Sequence, residues 1–276
     1  MNPMRARLPA VLAAAALSLV IAHAAAAQIR IGAILSISGP GAAMGVGYRA
    51  AFDFLPKEVA GQKIEYIVRD DGTDAQRAFT IAQKLMSEDH VDALIGPSLY
   101  TSDVAVQPLI EQAHVPMIAM APLVPDPAKA PYSFVVAQPL SLMVAVVFKH
   151  MQAHVVALRR LGYKGTIYGN HGIVSPAFIR VGGAAVEGVI ADTSPVVVYD
   201  QLAADNPIKP VATAFMDAYV KKLGPASVDP FAGYTFDAMR LLQSAIPAAL
   251  EHGAPGSEAF RVALRDALEH THELVG

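Results

Sequence analysis

The glycine-rich turn Gly39-Pro40-Gly41 is the first motif whose spacing could carry chemistry, because it follows an apolar strand and precedes a helix. A dinucleotide-binding motif begins in the same way. The third glycine of that motif is missing here, and Pro40 stiffens the turn. Asp70 and Asp71 lie farther along the chain than the acidic residue that usually binds the ribose. The turn therefore predicts a plain connection from strand to helix.

Residues that could act as nucleophiles or metal ligands do not form a catalytic motif. Ser98 lies in a Gly-Pro-Ser-Leu-Tyr segment that lacks the second glycine of an esterase nucleophile elbow, and the chain has no cysteine. His150 and His154 are four residues apart on a predicted helix, but no carboxylate accompanies them as in metalloproteases. We interpret this pair, and His270 with His272, as solvated side chains. The sequence therefore predicts no enzyme activity, no metal site and no cofactor.

Four polar residues at the start of a predicted helix are better suited to recognition, namely Ser98, Tyr100, Thr101 and Ser102. Hydroxyl groups and free N–H groups at a helix N-terminus together favour a carboxylate or a similar anion. In the alternative interpretation, Thr101 or Ser102 only caps the helix. The residues by themselves leave both interpretations open.

Alternating strands and helices must position these polar residues. Residues 29–37 are almost continuously apolar, which is typical of a parallel strand covered on both faces. The alternation indicates an α/β fold with a parallel sheet and right-handed crossovers. Thr73 or Asp74 is expected to cap the second helix. Predicted strands cover residues 29–37, 63–70, 91–95 and 116–120, and predicted helices cover residues 44–55, 75–86 and 102–113.

Three loops are expected beyond the carboxyl ends of these strands, where sheets of this kind bind small molecules. They are formed by residues 36–44, 96–102 and 119–124, and we call them together the rim. Helix N-termini at the rim would expose N–H groups to a ligand. The rim is therefore the predicted binding surface.

The second half of the chain changes from alternation to mostly helix. A long helix is predicted over residues 140–161, followed by a short strand over residues 165–168. Two further segments, residues 186–191 and 196–199, are predicted to be extended. Three helices are then expected over residues 207–223, 231–252 and 257–273.

The first 27 residues predict a secretory signal peptide. Arg5 and Arg7 precede an apolar stretch over residues 8–22, and three alanines end at Ala27, after which cleavage is expected. A membrane anchor is the alternative, but its apolar stretch would need about 18 residues, and this one is shorter. An exported, alanine-rich chain without cysteine is typical of the bacterial periplasm.

The charge of the chain disfavours nucleic acid as a partner. The full sequence has a formal net charge of −3, and removal of the leader takes away two arginines and no acid. Nucleic-acid-binding proteins usually present a basic surface instead. The absence of cysteine also excludes disulfides and thiolate metal sites.

Several segments, in the same order, resemble the periplasmic leucine/isoleucine/valine-binding protein family. The similar segments are residues 29–40, 64–74, 91–98, 115–118, 161–165, 169–172, 178–183, 186–188 and 231–234. The resemblance implies a type I periplasmic-binding-protein fold, in which two α/β lobes joined by a hinge close around a solute. It also implies delivery of the solute to an inner-membrane ABC permease, without catalysis. A ligand-sensing receptor module of the same fold is the alternative.

The resemblance also implies a binding site. The loop that matches Ser98 and the loop that matches Ala121, Pro122 and Leu123 would hold the solute carboxylate. Tyr100 and Thr101 at the predicted helix start complete the set of predicted ligand contacts, together with His171. Ser38, Gly39 and Pro40 would form a cleft loop.

This sequence departs from the family pattern at three of the matching positions. Pro122 has no N–H to donate and Leu123 has no hydroxyl group. His171 stands where an acidic residue would receive the ammonium group of an amino acid. A lost charged hydrogen bond costs about 1.5–3 kcal/mol. We therefore expect the solute to be a small amino acid or other carboxylate, but not an ordinary aliphatic amino acid, and a carboxylate without an amino group is one candidate.

The resemblance further implies that much of the second lobe is missing, because family members have additional strand and helix units where Val155 and Val156 run into Ala157. Residues 28–137 and 200–276 would form lobe 1, and residues 138–199 would be a remnant of lobe 2. One lobe offers one wall of a cleft, whereas a specific site buries most of its ligand. We therefore expect the isolated chain to bind a solute weakly or not at all.

Overall fold

The computed structural model describes residues 28–138, 159–169, 173–174, 176–272 and 274–275. The predicted leader, most of the predicted helix over residues 140–161, the pair His150 and His154, and His171 lie outside these residues. The described part of the chain has the predicted α/β fold, with a mostly parallel sheet and flanking helices.

A six-stranded sheet forms the centre of the fold. Its strands are β1 (Ile29–Leu35), β2 (Glu58–Val59), β3 (Gln62–Asp70), β4 (Ala93–Ile95), β5 (Met117–Ala119) and β6 (Ser133–Val135). They lie in the order β2-β3-β1-β4-β5-β6, and all neighbours are parallel except the antiparallel pair β2 and β3. Ile31 of β1 pairs with Tyr66 on one side and with Ala93 on the other. This central position explains why β1 is apolar throughout.

Three helices connect the first strands, namely α1 (Ala42–Ala51), α2 (Ala75–Ser87) and α3 (Tyr100–Ala113). Asp74 caps α2, since its carboxylate accepts a hydrogen bond of 2.7 Å from the backbone N–H of Arg77. Asp74 is one of the two caps predicted from the sequence. Ala78, Ala82 and Leu85 form the buried face of α2, as their helical spacing predicts.

The second half of the described chain contains a separate two-stranded parallel sheet and four helices. Its strands are β7 (Ile167–Gly169) and β8 (Val189–Ala191), and its helices are α4 (Pro176–Gly182), α5 (Lys209–Leu223), α6 (Phe231–Leu250) and α7 (Glu258–Glu269). The starts of α5, α6 and α7 agree with the predicted starts to within two residues. No helix of the described residues is both long and apolar enough to cross a membrane.

The prediction of an extended segment over residues 196–199 is wrong, because residues Pro195–Gln201 form 3₁₀ turns. Pro195 occupies the first helical position, where its fixed φ favours a turn of helix. Val196 is buried beside Gly233 of α6, where an added Cβ would lie 3.1 Å from the Val196 side chain. The strand propensity of the three consecutive valines predicts an extended segment, but tertiary packing overrides this propensity.

The core lies on both faces of the sheet. Ile31, Ala33 and Leu35 of β1 pack in a cluster with α1, α6 and α7, whereas Ile34 packs with α2 and α3 on the other face. Gly32 also faces α2, and a Cβ there would lie 2.6 Å from the Leu94 side chain. The sheet is therefore covered on both sides, and its carboxyl-end loops remain for binding.

Candidate functional site

The three loops of the rim are hydrogen-bonded to one another. The backbone N–H of Ser36 donates to Ser98 Oγ at 2.9 Å, which joins the first loop to the second. The N–H of Met120 donates to the carbonyl of Pro97 at 3.3 Å, which joins the second loop to the third. The structure thus brings the sequence-predicted loops into one surface at the carboxyl ends of β1, β4 and β5.

Ser98 is nearly completely buried, with 3% of its surface exposed. Because its oxygen accepts the hydrogen bond from Ser36, the side chain helps to fix the loop geometry. A hydroxyl group also carries one proton that it can donate. Its role as a direct solute contact stays a prediction.

Asp70 holds the first loop of the rim, which contains Ser38, Gly39 and Pro40. Its carboxylate accepts hydrogen bonds from the N–H groups of Ile37, Ser38 and Gly72 and from Ser38 Oγ, at 2.6–3.1 Å. Burial would raise the pKa of the Asp70 carboxyl group, but these hydrogen bonds outweigh it and lower the pKa below 3.8. Ser38, Gly39 and Pro40 are consequently exposed on a loop whose backbone is fixed.

Gly39 is required for the geometry of this loop. Its φ of +77° lies in the left-handed region that favours glycine, and an added Cβ would collide with the carbonyl oxygen of Gly72. The glycine-rich turn therefore serves close backbone approach between two loops, in agreement with the predicted strand-to-helix connection.

Asp71 lies behind the rim and connects the first loop to helix α3. It is completely buried, and its carboxylate accepts hydrogen bonds from Ser36 Oγ at 2.7 Å, from Ser102 Oγ at 3.0 Å and from the N–H of Thr73 at 2.9 Å. Three donors satisfy a buried carboxylate that would otherwise be costly. The structure thereby assigns Ser102 a positioning role in the rim.

Helix α3 begins without a side-chain cap. Its N-cap residue is Leu99, so the alternative in which Thr101 or Ser102 caps the helix is wrong. Tyr100, with 54% of its surface exposed, and Thr101 are the exposed residues of the first turn. An uncapped first turn leaves N–H groups that an anion could satisfy.

The third loop of the rim is more apolar. Ala121 is buried, Pro122 is partly buried, and Leu123 packs in the apolar cluster formed with α2 and α3. Leu123 therefore contributes packing in this structure. His171, the last of the predicted ligand contacts, lies outside the described residues.

Three buried residues next to the rim were missed from the sequence, and Tyr48 and Thr235 are two of them. The hydroxyl of Tyr48 on α1 donates to the carbonyl of Met120 at 3.0 Å, and Thr235 Oγ1 of α6 donates to the carbonyl of Tyr48 at 3.1 Å. Burial and the charges of neighbouring acids raise the pKa of the Tyr48 hydroxyl, which remains a donor.

Asp103 is the third missed residue, and it is completely buried on α3. Burial, and then the charge of Asp71, raise the pKa of its carboxyl group well above 3.8, although the N–H of Ala121 lowers it in part. Its spacing from Val106 and Ile110 places it on the buried face of the helix. That spacing is the signal that could have found it.

The comparisons with known proteins agree with this fold. The model of the periplasmic binding protein family matches residues 28–154. The Leu/Ile/Val-binding protein homolog 6 of Brucella abortus and that of Brucella suis are each 31% identical over 116 residues, which is 40% of this chain and 30% of the relative. The chain thus spans about 30% of the length of these curated relatives.

Solved structures extend the similarity over most of the chain. An extracellular ligand-binding receptor from Rhodopseudomonas palustris HaA2 is 30% identical, with a TM-score of 0.81 and coverage of 87% of this chain and 88% of that one. The branched-chain amino acid transporter substrate binding protein LivJ from Streptococcus pneumoniae, in complex with isoleucine, is 18% identical, with a TM-score of 0.65 and 87% coverage of both chains.

The sheet order and the similar solved structures define an α/β fold of the type I periplasmic-binding-protein class. The chain belongs to the periplasmic binding protein family. The resemblance predicted from the sequence is therefore confirmed, and proteins of this family are solute receptors, which are generally not enzymes.

Proposed function

We propose that this chain is the solute-binding component of an ABC importer of the branched-chain amino-acid type, and that it captures a small carboxylate in the periplasm after cleavage following Ala27. The observation that supports this most is the rim itself, whose three loops are held together around the uncapped start of α3. Fixed donors at a helix N-terminus suit an anion, because little rearrangement is needed for binding. The partner would be an inner-membrane permease.

The proposed solute class is a carboxylate without an amino group. The family resemblance favours it over an ordinary amino acid, because it implies an acidic residue that would receive an ammonium group where this chain has His171. The rim offers hydroxyl and N–H donors for the carboxylate at Tyr100 and Thr101. Ser98, Ala121 and Pro122 would form the rest of the carboxylate site, with Leu123 packed behind it and Ser38, Gly39 and Pro40 at the entrance.

We further propose that residues 28–137 and 200–276 form lobe 1 and that residues 138–199 form a reduced lobe 2. The six-stranded sheet lies entirely within the first range, and the small sheet of β7 and β8 lies within the second.

The solute class can be tested with a matched pair of compounds. Leucine and 4-methylpentanoate have the same side chain and carboxylate, and only leucine carries an amino group. Thermal unfolding of the purified chain should shift upwards with increasing 4-methylpentanoate and much less with leucine, because a ligand that binds the native state stabilises it. An equal or larger shift with leucine would contradict the solute class, and no shift with any carboxylate would contradict the function.

The contribution of the rim can be tested in the same experiment. Thr101→Ala removes an exposed hydroxyl at the first turn of α3, and Thr80→Ala removes an exposed hydroxyl from α2, away from the rim. We expect only Thr101→Ala to reduce the shift.

A further inference from the structure

The carboxyl group of Asp103 is the most unusual polar group in the described part of the chain. It is completely buried, and apart from an interaction with the backbone N–H of Ala121 its oxygens have no hydrogen-bond partner among the described residues. An acid in such a place is costly, and buried polar groups are normally paired. A buried carboxyl group that has only one such interaction, beside a binding surface, points to a ligand that supplies a further partner.

The surroundings of Asp103 favour its neutral, protonated form. The titratable groups that face it are Asp71, which follows β3, and Tyr48 on α1. The third neighbour is the N–H of Ala121 in the rim, and no cation among the described residues contributes to its titration. A carboxylic acid kept neutral by its site is a hydrogen-bond donor as well as an acceptor.

The position of Asp103 links it to the predicted solute site. It lies one residue after Ser102, in the helix whose first turn exposes Tyr100 and Thr101, and it adjoins Ala121 of the third loop. A solute carboxylate bound at the start of α3 would therefore come close to an acid whose O–H can donate a hydrogen bond to it.

We propose that Asp103 is a specificity-determining residue that binds the solute carboxylate as a protonated acid, donating an O–H···O⁻ hydrogen bond to it. The inference rests on the proposed function, since it assumes a carboxylate in the rim. Hydrogen bonds between an acid and a carboxylate are short and strong. Ionised Asp103 would instead repel the solute, and Asp71 would add to that repulsion. Solute binding therefore requires a proton on Asp103.

The test compares four proteins by calorimetry with 4-methylpentanoate between about pH 6 and pH 9, where the solute itself is ionised. The proteins are the unmodified chain, Asp103→Ala, Asp103→Asn and, as a control, Asp205→Asn at an exposed turn. Asp103→Ala should weaken binding about tenfold or more. Affinity of the unmodified chain should fall, by up to about tenfold per pH unit, once Asp103 ionises. Asp103→Asn keeps a donor and should bind without this pH dependence, and the control should behave like the unmodified chain.

Different outcomes of this experiment distinguish a failure of the proposed role of Asp103 from a failure of the proposed function. Binding of 4-methylpentanoate that Asp103→Ala leaves within twofold would overturn the role of Asp103 and leave the proposed function intact. Tighter binding of 4-methylpentylamine as pH rises would assign Asp103 to a cation and also overturn the inference. A complete lack of carboxylate binding by the unmodified chain would overturn the proposed function itself.

A measurement without solute provides an independent check. The ¹³C shift of the Asp103 carboxyl group should show that it loses its proton at a much higher pH than an ordinary aspartate. Titration in the ordinary range near pH 4 would contradict the inference even if carboxylates bind.

Discussion

At the scale of single residues, two carboxylate side chains hold the rim loops in place through hydrogen bonds. Asp70 receives its hydrogen bonds from the first loop, whereas Asp71 joins that loop to the start of α3. Asp70 is the last residue of strand β3 and Asp71 follows it, so a single segment of chain organises two of the three rim loops. These acids act through other residues and need no contact with the solute.

Removal of the Asp70 carboxylate should loosen the first loop. Asp70→Ala deletes an acceptor for the N–H groups of Ile37, Ser38 and Gly72, and we expect the free energy of unfolding to fall by about 1–2 kcal/mol at pH 7. The pKa of Asp70 is lowered, so its stabilisation is present above pH 3.8 and is lost as pH falls through the native pKa. Urea unfolding at pH 7 and at pH 3 should show the difference between the two proteins shrinking in acid.

Asp237 on α6 should have the opposite pH dependence. Burial raises the pKa of its carboxyl group to about 6, although the charge of Arg240 opposes the shift. Between pH 3.8 and about 6 the native state holds a proton that the unfolded chain releases, so stability falls as pH rises through this window.

Asp237→Asn should therefore stabilise the chain at pH 8, by about 1–3 kcal/mol, and give no gain at pH 4. Chemical unfolding at the two pH values checks this, with Asp205→Asn as the exposed control. A gain of the same size at both pH values would show that burial of Asp237 is not the cause.

At the scale of the structural element, the first loop of the rim depends on the glycine at position 39, and Gly61 outside the rim provides a comparison. Gly39 and Gly61 have nearly the same φ, +77° and +76°, but an added Cβ meets the Gly72 carbonyl at Gly39 and open space at Gly61. A comparison of alanine substitutions at the two sites therefore separates the destabilisation caused by backbone strain from that caused by steric collision.

Gly39→Ala should destabilise the chain more than Gly61→Ala. Strain in the left-handed region costs about 1 kcal/mol at either site, and the collision at Gly39 should add about 1–2 kcal/mol. Thermal unfolding of the two variants measures the difference. Equal losses would indicate that the loops can move apart without cost.

The regular elements followed from the sequence where the local signals agreed. The apolar run of β1, the cap at Asp74 and the helical spacing of Ala78, Ala82 and Leu85 all pointed to the observed structure. The valines after Pro195 were misread because their conformation depends on contact with Gly233, which is distant in sequence. The two-residue strand β2 was missed because so short a segment has no periodicity.

The candidate site followed from the sequence only in outline. The carboxyl ends of neighbouring parallel strands lie at the same edge of a sheet, so the loops that follow these strands could be predicted to form the rim. The partners of Asp71 and the burial of Asp103 could not be predicted, because they depend on which side chains meet across β3, α1 and α3.

At the scale of the whole molecule, the proposed reduction of lobe 2 governs affinity. The large sheet supplies a fixed rim, while the described part of residues 138–199 supplies the small sheet of β7 and β8 with helix α4. Tight receptors close two bodies around a solute, and burial of most of its surface provides the affinity.

We therefore expect any single carboxylate to bind the isolated chain with a dissociation constant well above the micromolar range. Calorimetry on the purified chain measures this directly, and small-angle X-ray scattering with and without solute should show little closure. A sub-micromolar constant together with a compaction on binding would contradict the proposed reduction of lobe 2.

The shared acceptor Asp71 has a consequence for how the rim can evolve. Ser36 and Ser102 both donate to this one carboxylate, although they belong to different elements. Loss of either hydroxyl leaves the other, together with the N–H of Thr73, to satisfy a buried carboxylate, so the second loss should cost more than the first. Substitutions at the two serines are thus epistatic, and drift at one position is permitted only while the other is kept.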